Sequence, residues 1–300
     1  MMNKKTKNFK LAYKINFSYQ DFDNLIKLWL ALPIKDKYQK VLSFTPSIRP
    51  FKKYSDKQGN KILYFKLKEE KEFSFELNLA LAKSSHVHSK NWQRPSDNKL
   101  NRYLKSERFL EQTKDIKDLV ESITQDKKTL YDKVKAVFDF VIDNFGYTYP
   151  VKKRGAKNLN LKKLRGDCGE YGALLVTMLR ILGVPAVNQT GFVIHPRQQK
   201  IVEHGWVKAY FRTQGWLDFD PQYAAIEKNK AKYFGQRNDY RVVFTNGFNI
   251  PIESPIAREY RLDFWNKAGL PLSRKSVQVL QPAVFVGRVR MSFKDRVVLV

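Results

Sequence analysis

At 300 residues, 43% hydrophobic and 14% aromatic, the chain has enough apolar material for a folded core, which excludes global disorder. Lys and Arg outnumber Asp and Glu 56 to 29, for a net charge of +27, so the protein attracts polyanions in general; without a zinc-finger, RRM or helix-turn-helix pattern, specific nucleic-acid binding is not expected. The single cysteine excludes an intramolecular disulfide and a thiolate metal cluster, and the basic, polar residues 1–10 lack the apolar segment of a secretory signal, so a cytoplasmic protein is expected.

The first hundred residues read as β-rich. Phe9, Leu11, Tyr13, Ile15, Phe17 and Tyr19 alternate with small or polar residues, the period of a half-buried strand, and Phe73, Phe75, Leu77, Leu79 and Leu81 do the same. Asp21 to Ala31 reads as a brief helix. Leu25 to Ile34 is apolar but too short to span a bilayer, and no transmembrane segment is expected. Asp56-Lys57-Gln58-Gly59-Asn60 is a turn between extended runs. Ser84 to Arg102 is polar and irregular, a linker in composition.

Beyond it the period changes. Ile116, Leu119, Val120 and Ile123 share one helical face, and Leu130, Val134, Val137, Phe138, Val141, Ile142 and Phe145 form a longer stripe. A third helix is predicted from Asp167 to about Leu182, ended by Gly183 and Pro185. Extended runs follow at Ala186 to Ile194, Gly205 to Phe211 and Trp216 to Phe219, then at Tyr240 to Phe244 before an Asn246-Gly247 turn, and at Val284 to Phe293. Strands, then helices, then strands make an α+β protein. The segments are a β-rich domain over 1–100, a core over 101–225 and a β-rich extension over 226–300.

A lone cysteine is ordinarily a small buried hydrophobe. Cys168 has a different address. Asp167 followed by Glu170 fits a helix N-cap and capping box, which puts Cys168 in the first turn, where unpaired N–H groups and the helix dipole favour a thiolate. The backbone N–H of Cys168 could also face an oxyanion; Tyr147, Tyr149 and Asn158 are open candidates for a second donor. A thiol in acyl transfer needs a base. Of the four histidines, His86 and His88 read as loop residues and His195 precedes Pro196 in a turn, whereas His204 opens the strand-like His204-Gly205-Trp206-Val207-Lys208-Ala209-Tyr210. In Trp216-Leu217-Asp218-Phe219-Asp220-Pro221 the two aspartates share a face, and Asp220, at the strand end, is the better orienter for an imidazole.

Gly-Asp-Cys opening a helix, a Gly-Val-Pro-Ala turn, His-x-Trp and Trp-x-x-x-Asp-Pro together resemble the transglutaminase-like superfamily of papain-like thiol enzymes, over about Tyr103 to Tyr223. Both the order and the spacing fit: 36 residues from Cys168 to His204 (204 − 168) and 16 on to Asp220 (220 − 204). The resemblance implies a papain-like core with the cysteine helix packed on an antiparallel sheet bearing the histidine and aspartate, and a bacterial type with a β-rich N-terminal segment. It implies Cys168 as nucleophile, His204 as base and Asp220 as orienter, with no metal or organic cofactor. Where the family often has an acidic residue two positions after the tryptophan, this chain has Lys208.

The resemblance leaves the reaction open between hydrolysis by a cysteine peptidase or amidase, which is the primary expectation, and protein-glutamine cross-linking. A non-catalytic peptide- or protein-binding scaffold and a polyanion-binding protein are the rivals from other classes. Lys152, Lys153, Arg154, Lys157, Lys162, Lys163 and Arg165, with no acidic residue among them, and Lys228, Lys230, Lys232 and Arg237 after the aspartate, suggest a basic rim. Such a rim would lower the thiol pKa and draw an acidic peptide or protein substrate.

Overall fold

The computed structural model describes residues 6–19, 25–84, 89–96, 98–253, 255–258, 272–288 and 292–300; His86 and His88 lie outside them. Six strands come first, β1 (Thr6–Ser18), β2 (Leu25–Ala31), β3 (Gln39–Pro46), β4 (Lys52–Ser55), β5 (Lys61–Lys68) and β6 (Glu72–Ala82). Helices α1 (Lys114–Thr124) and α2 (Leu130–Asn144) precede the short strands β7 (Gly146–Tyr147) and β8 (Arg165–Gly166). Then come α3 (Cys168–Ile181), β9 (Ala186–His195), β10 (Lys200–Phe211), β11 (Gly215–Phe219) and α4 (Pro221–Ile226). The remainder holds β12 (Arg241–Asn246), β13 (Ile250–Pro251), β14 (Leu272–Ser273), β15 (Ser276–Val277), β16 (Ala283–Val286) and β17 (Ser292–Leu299). The protein is α+β, its long strand pairs antiparallel.

The chain divides into two compact units. The first comprises Met1–Lys83, Thr190–His204 and Asn238–Val300. In it β1 lies between β6 and β17, with β3 outside β6, and β2 lies between β5 and β16, with β4 outside β5. Segments 1–100 and 226–300, read above as a domain and an extension, both contribute strands to the same sheets. Leu11, Ile15, Trp29, Phe65, Phe73 and Leu77 belong to one buried core, where each large apolar side chain contributes roughly 1.5–3 kcal/mol.

Two expectations are corrected here. Leu25–Ala31, read as part of a brief helix, is the strand β2; flanked on both edges and buried over most of its length, it is apolar almost throughout, so its pattern lacks the alternation that marks a strand. The run from Val284 to Phe293 is two strands in two sheets, β16 beside β2 and β17 beside β1.

The second unit comprises Ser84–Gln189 and Gly205–Arg237. Thr113 and Thr129 cap α1 and α2, accepting from the N–H groups of Ile116 at 3.4 Å and Asp132 at 3.1 Å. The expected apolar stripes face inward: Ile116 and Val120 on α1, and Val134, Val137, Phe138 and Val141 on α2, are buried. The linker-like stretch is tied down as well. Trp92 is buried, its ring 5.2 Å from that of Phe234 and nearly parallel to it, and 4.3 Å from that of Phe211. Val207–Phe211 of β10 pairs antiparallel with β11, setting Lys208 opposite Asp218 and Val207 opposite Phe219.

Candidate active site

Helix α3 begins where the sequence predicts. Asp167 has extended backbone and its carboxylate accepts the Gly169 N–H at 2.8 Å, so Cys168 is the first helical residue. The helix from Glu170 to Arg180 is buried all round. Gly172 permits its close approach to neighbouring strands, because a Cβ there would meet Asn188 Oδ1 at 2.4 Å.

The predicted capping box forms only in half. Glu170 does not reach back to the Asp167 N–H; its Oε2 accepts from Arg154 Nη1 at 2.8 Å and its Oε1 from the Gly155 N–H at 3.4 Å. Arg154 also grips Asp167, Nη1 to Oδ1 at 2.9 Å and Nη2 to Oδ2 at 2.6 Å. Its side chain is 3% exposed, so this guanidinium belongs to the foundation of α3 and not to a solvent-facing rim. Two buried carboxylates thus share one cation. Burial pushes Asp167 up, but the hydrogen bonds and charge of Arg154 prevail and hold it below the usual carboxylate range. Glu170 is pushed up to about 8, by burial first, against the pull of Arg154 and with the charge of Asp167 adding to the rise.

The same surroundings act on the nucleophile candidate. Cys168 is half-buried, and burial of its sulfur pushes the thiol up to about 12, with the charge of Asp167 raising it further; the Gly205 N–H, donated to the sulfur, pulls the other way. The helix terminus alone favours a thiolate. Desolvation and the two acids outweigh the dipole, whose effect near a helix end is only about 0.3–1 kcal/mol at exposed sites.

The other two sequence-predicted residues are buried as well. His204 is 2% exposed, within β10; its carbonyl accepts from Gln281 Nε2 at 2.7 Å, and it directly precedes the Gly205 that bonds the Cys168 sulfur. Asp220 is 1% exposed and caps α4, its Oδ1 accepting from the Tyr223 N–H at 2.9 Å. Cys168 and Asp220 thus stand at the starts of two helices of one unit, and α3 packs against α4. Asp218, the alternative orienter, is buried 4.0 Å from the Nε of buried Arg237.

The family model of the transglutaminase-like superfamily matches residues 117–221, from within α1 to the Asp-Pro step. Over residues 117–221 the chain is thus similar to a transglutaminase-like domain. An uncharacterised Bacillus subtilis protein, YebA, is 30% identical over 125 residues, 35% of this chain and 17% of its own length. An uncharacterised Mycobacterium leprae protein is 31% identical over 68 residues, 20% of this chain and 23% of its own. The chain thus spans less than a quarter of either curated relative. The solved structure of a candidate cysteine protease from Cytophaga hutchinsonii superposes with a TM-score of 0.59 at 15% identity, over 98% of this chain and 91% of that one, a likeness of fold.

The basic rim is smaller than the sequence suggests. Arg154 and Arg237 are buried, Lys157 pairs with Glu111 at 3.2 Å, Lys230 with Asp143 at 2.6 Å and Lys232 with Glu227 at 2.5 Å. Of the oxyanion-donor candidates, Asn158 spends its amide on the Arg154 carbonyl at 2.7 Å, while Tyr147 and Tyr149 are exposed. What the sequence reading missed is the buried Arg154 cluster. Its signal was the unbroken basic run, in which nothing marks one residue for burial. Among the described residues no cluster of His, Cys, Asp and Glu could hold a metal, and no helix is long and apolar enough to cross a membrane.

Proposed function

We propose that the transglutaminase-like domain transfers acyl groups from amides of a peptide or protein through a thioester on Cys168, with His204 as base, Asp220 as its orienter and water as the usual acceptor. The observation that carries this reading is the position of Cys168: first residue of a buried helix, its sulfur hydrogen-bonded by the strand residue next to His204. A thiol held neutral by burial needs a partner that removes its proton during attack.

In the proposed cycle His204 accepts the Sγ proton as sulfur bonds to the amide carbon. The carbonyl oxygen becomes an oxyanion facing the Cys168 N–H, a group without an acceptor inside the helix. Collapse of the intermediate breaks the C–N bond, and the imidazolium gives its proton to the departing amine. Water then attacks the thioester, losing a proton to His204, and the acid leaves as Sγ recovers that proton. A lysine amine in place of water would give a cross-link.

The test is turnover of quenched peptide and glutamine-amide substrates, with and without an added primary amine. Activity should vanish in Cys168→Ala and fall at least about a hundredfold in His204→Ala. Turnover surviving Cys168→Ala would remove the reading, while amine incorporation outpacing hydrolysis would select cross-linking. The raised thiol favours one second reading, a peptide-binding scaffold without turnover. Iodoacetamide labels only Cys168 in this chain; rates that match in wild type and His204→Ala and rise only at strongly alkaline pH would select that scaffold.

A further inference from the structure

Strand β7 runs parallel to β8, with Tyr147 opposite Gly166 and the Thr148 N–H donating to the Gly166 carbonyl at 2.9 Å. Tyr147 therefore lies beside Gly166, two residues before Cys168, and Thr148 is hydrogen-bonded to that same residue. Strands so paired lie about 4.8 Å apart. Burial first, and then electrostatic interaction with Cys168 and Asp167, push the Tyr147 phenol up, consistent with that neighbourhood. Most aromatic side chains of this unit are buried, Trp92, Phe138, Phe219 and Phe234 among them, yet Tyr147 is 60% exposed and Tyr149 56%.

The charge beside this aromatic pair is one-sided. Residues 151–165 include no Asp or Glu. With Arg154 buried and Lys157 paired, Lys152, Lys153, Lys162, Lys163 and Arg165 remain exposed and have no acidic partner among the described residues. Arg165 sits in β8 itself, three residues before Cys168.

We infer that Tyr147 and Tyr149, flanked by Lys152, Lys153 and Arg165, form a substrate subsite beside Cys168 that takes an acidic peptide segment bearing an aromatic side chain. The inference deepens the acyl-transfer reading and rests on it for the subsite's role. Each element is weak alone. An exposed ion pair gains little and fades with salt, and an aromatic pair adds a modest increment beyond its buried area. Acting on one peptide they reinforce each other and reject a basic segment by like-charge repulsion.

The test uses Cys168→Ala protein, so that binding is read without turnover, and fluorescein-labelled hexapeptides in an anisotropy titration. One peptide carries two glutamates and a phenylalanine, the second two glutamates and no aromatic, the third two lysines and a phenylalanine. The first should bind about tenfold more tightly than either other at low salt. Adding Tyr147→Ala and Tyr149→Ala should erase the aromatic preference, and Lys152→Glu with Lys153→Glu should erase or invert the charge preference, with circular dichroism unchanged in both. Equal binding of all three peptides, no binding of any, or a preference for glutamates that ignores the aromatic and survives the tyrosine variants overturns the subsite. Discrimination by a wild type that turns nothing over keeps the subsite and removes the acyl-transfer reading; turnover without discrimination does the reverse.

Discussion

Arg154 holds Asp167 through two parallel hydrogen bonds, at 2.9 and 2.6 Å, and Asp167 in turn caps the helix that begins with Cys168. Removing the guanidinium leaves two buried carboxylates facing each other. Arg154→Met should destabilise its unit by about 3–5 kcal/mol in urea unfolding followed by circular dichroism. Arg154→Lys keeps the charge but loses the planar fork, and should cost less. A neutral Arg154→Met would mean that the cluster contributes nothing to folding.

Glu170 sets a pH dependence. Its carboxyl rises from an ordinary 4.5 to about 8 in the folded protein, so between those values the native state binds more protons than the unfolded chain. Stability from this group is full below about 4.5, declines as pH rises through the window and is gone above about 8. Glu170→Gln cannot titrate. Its unfolding free energy between pH 5 and 8, read at about half-unit steps, should lack the downward slope that wild type shows. Parallel curves for the two proteins would contradict the assignment.

Asp220 separates a structural duty from a chemical one. Asparagine caps a helix about as well as aspartate, so Asp220→Asn should change the melting free energy by less than about 1 kcal/mol. An uncharged amide does not stabilise an imidazolium, and turnover should fall about a thousandfold or more. Unchanged turnover in a well-folded variant would take Asp220 out of the chemistry, and Asp218→Asn is the matched control.

Gly166 leaves no room for a methyl group: a Cβ there would meet Glu170 Cβ at 2.4 Å and Cγ at 2.8 Å. Gly166→Ala should cost about 1–3 kcal/mol by overpacking, and because the strain falls on the first turn of α3, the iodoacetamide rate at Cys168 should change as well. The thermal midpoint and the labelling rate give the two readouts.

The helical part of the protein was legible because its signals are local. The apolar stripes of α1 and α2, the start of α3 at Asp167-Cys168 and the turn at Asp56–Asn60 all follow from residues within a few positions of each other. The place of Cys168 at a helix start was readable for the same reason, whereas Asp220, read at a strand end, also caps α4, a helix the sequence reading did not include. Long-range partnership was not. β2 looked helical because a strand covered on both sides loses its alternation, and no composition links β17 to β1. In the site, the proton affinity of Cys168 depends first on burial and then on Asp167, Gly205, Glu170 and Arg154, which the fold brings together and a local reading of the helix start does not contain.

The pairing of β1 with β17 has a consequence in time. Tyr13 donates its hydroxyl proton to Asp295 across 282 positions of chain. On a ribosome adding about 5–20 residues per second, roughly 15 to 60 seconds separate the two residues, while the first strand waits for its second neighbour. During that interval the edge of β1 that β17 will cover is open to any other extended chain. A nascent protein of this topology therefore needs that edge shielded until late in synthesis, and truncation before β17 should favour aggregation over a soluble fragment.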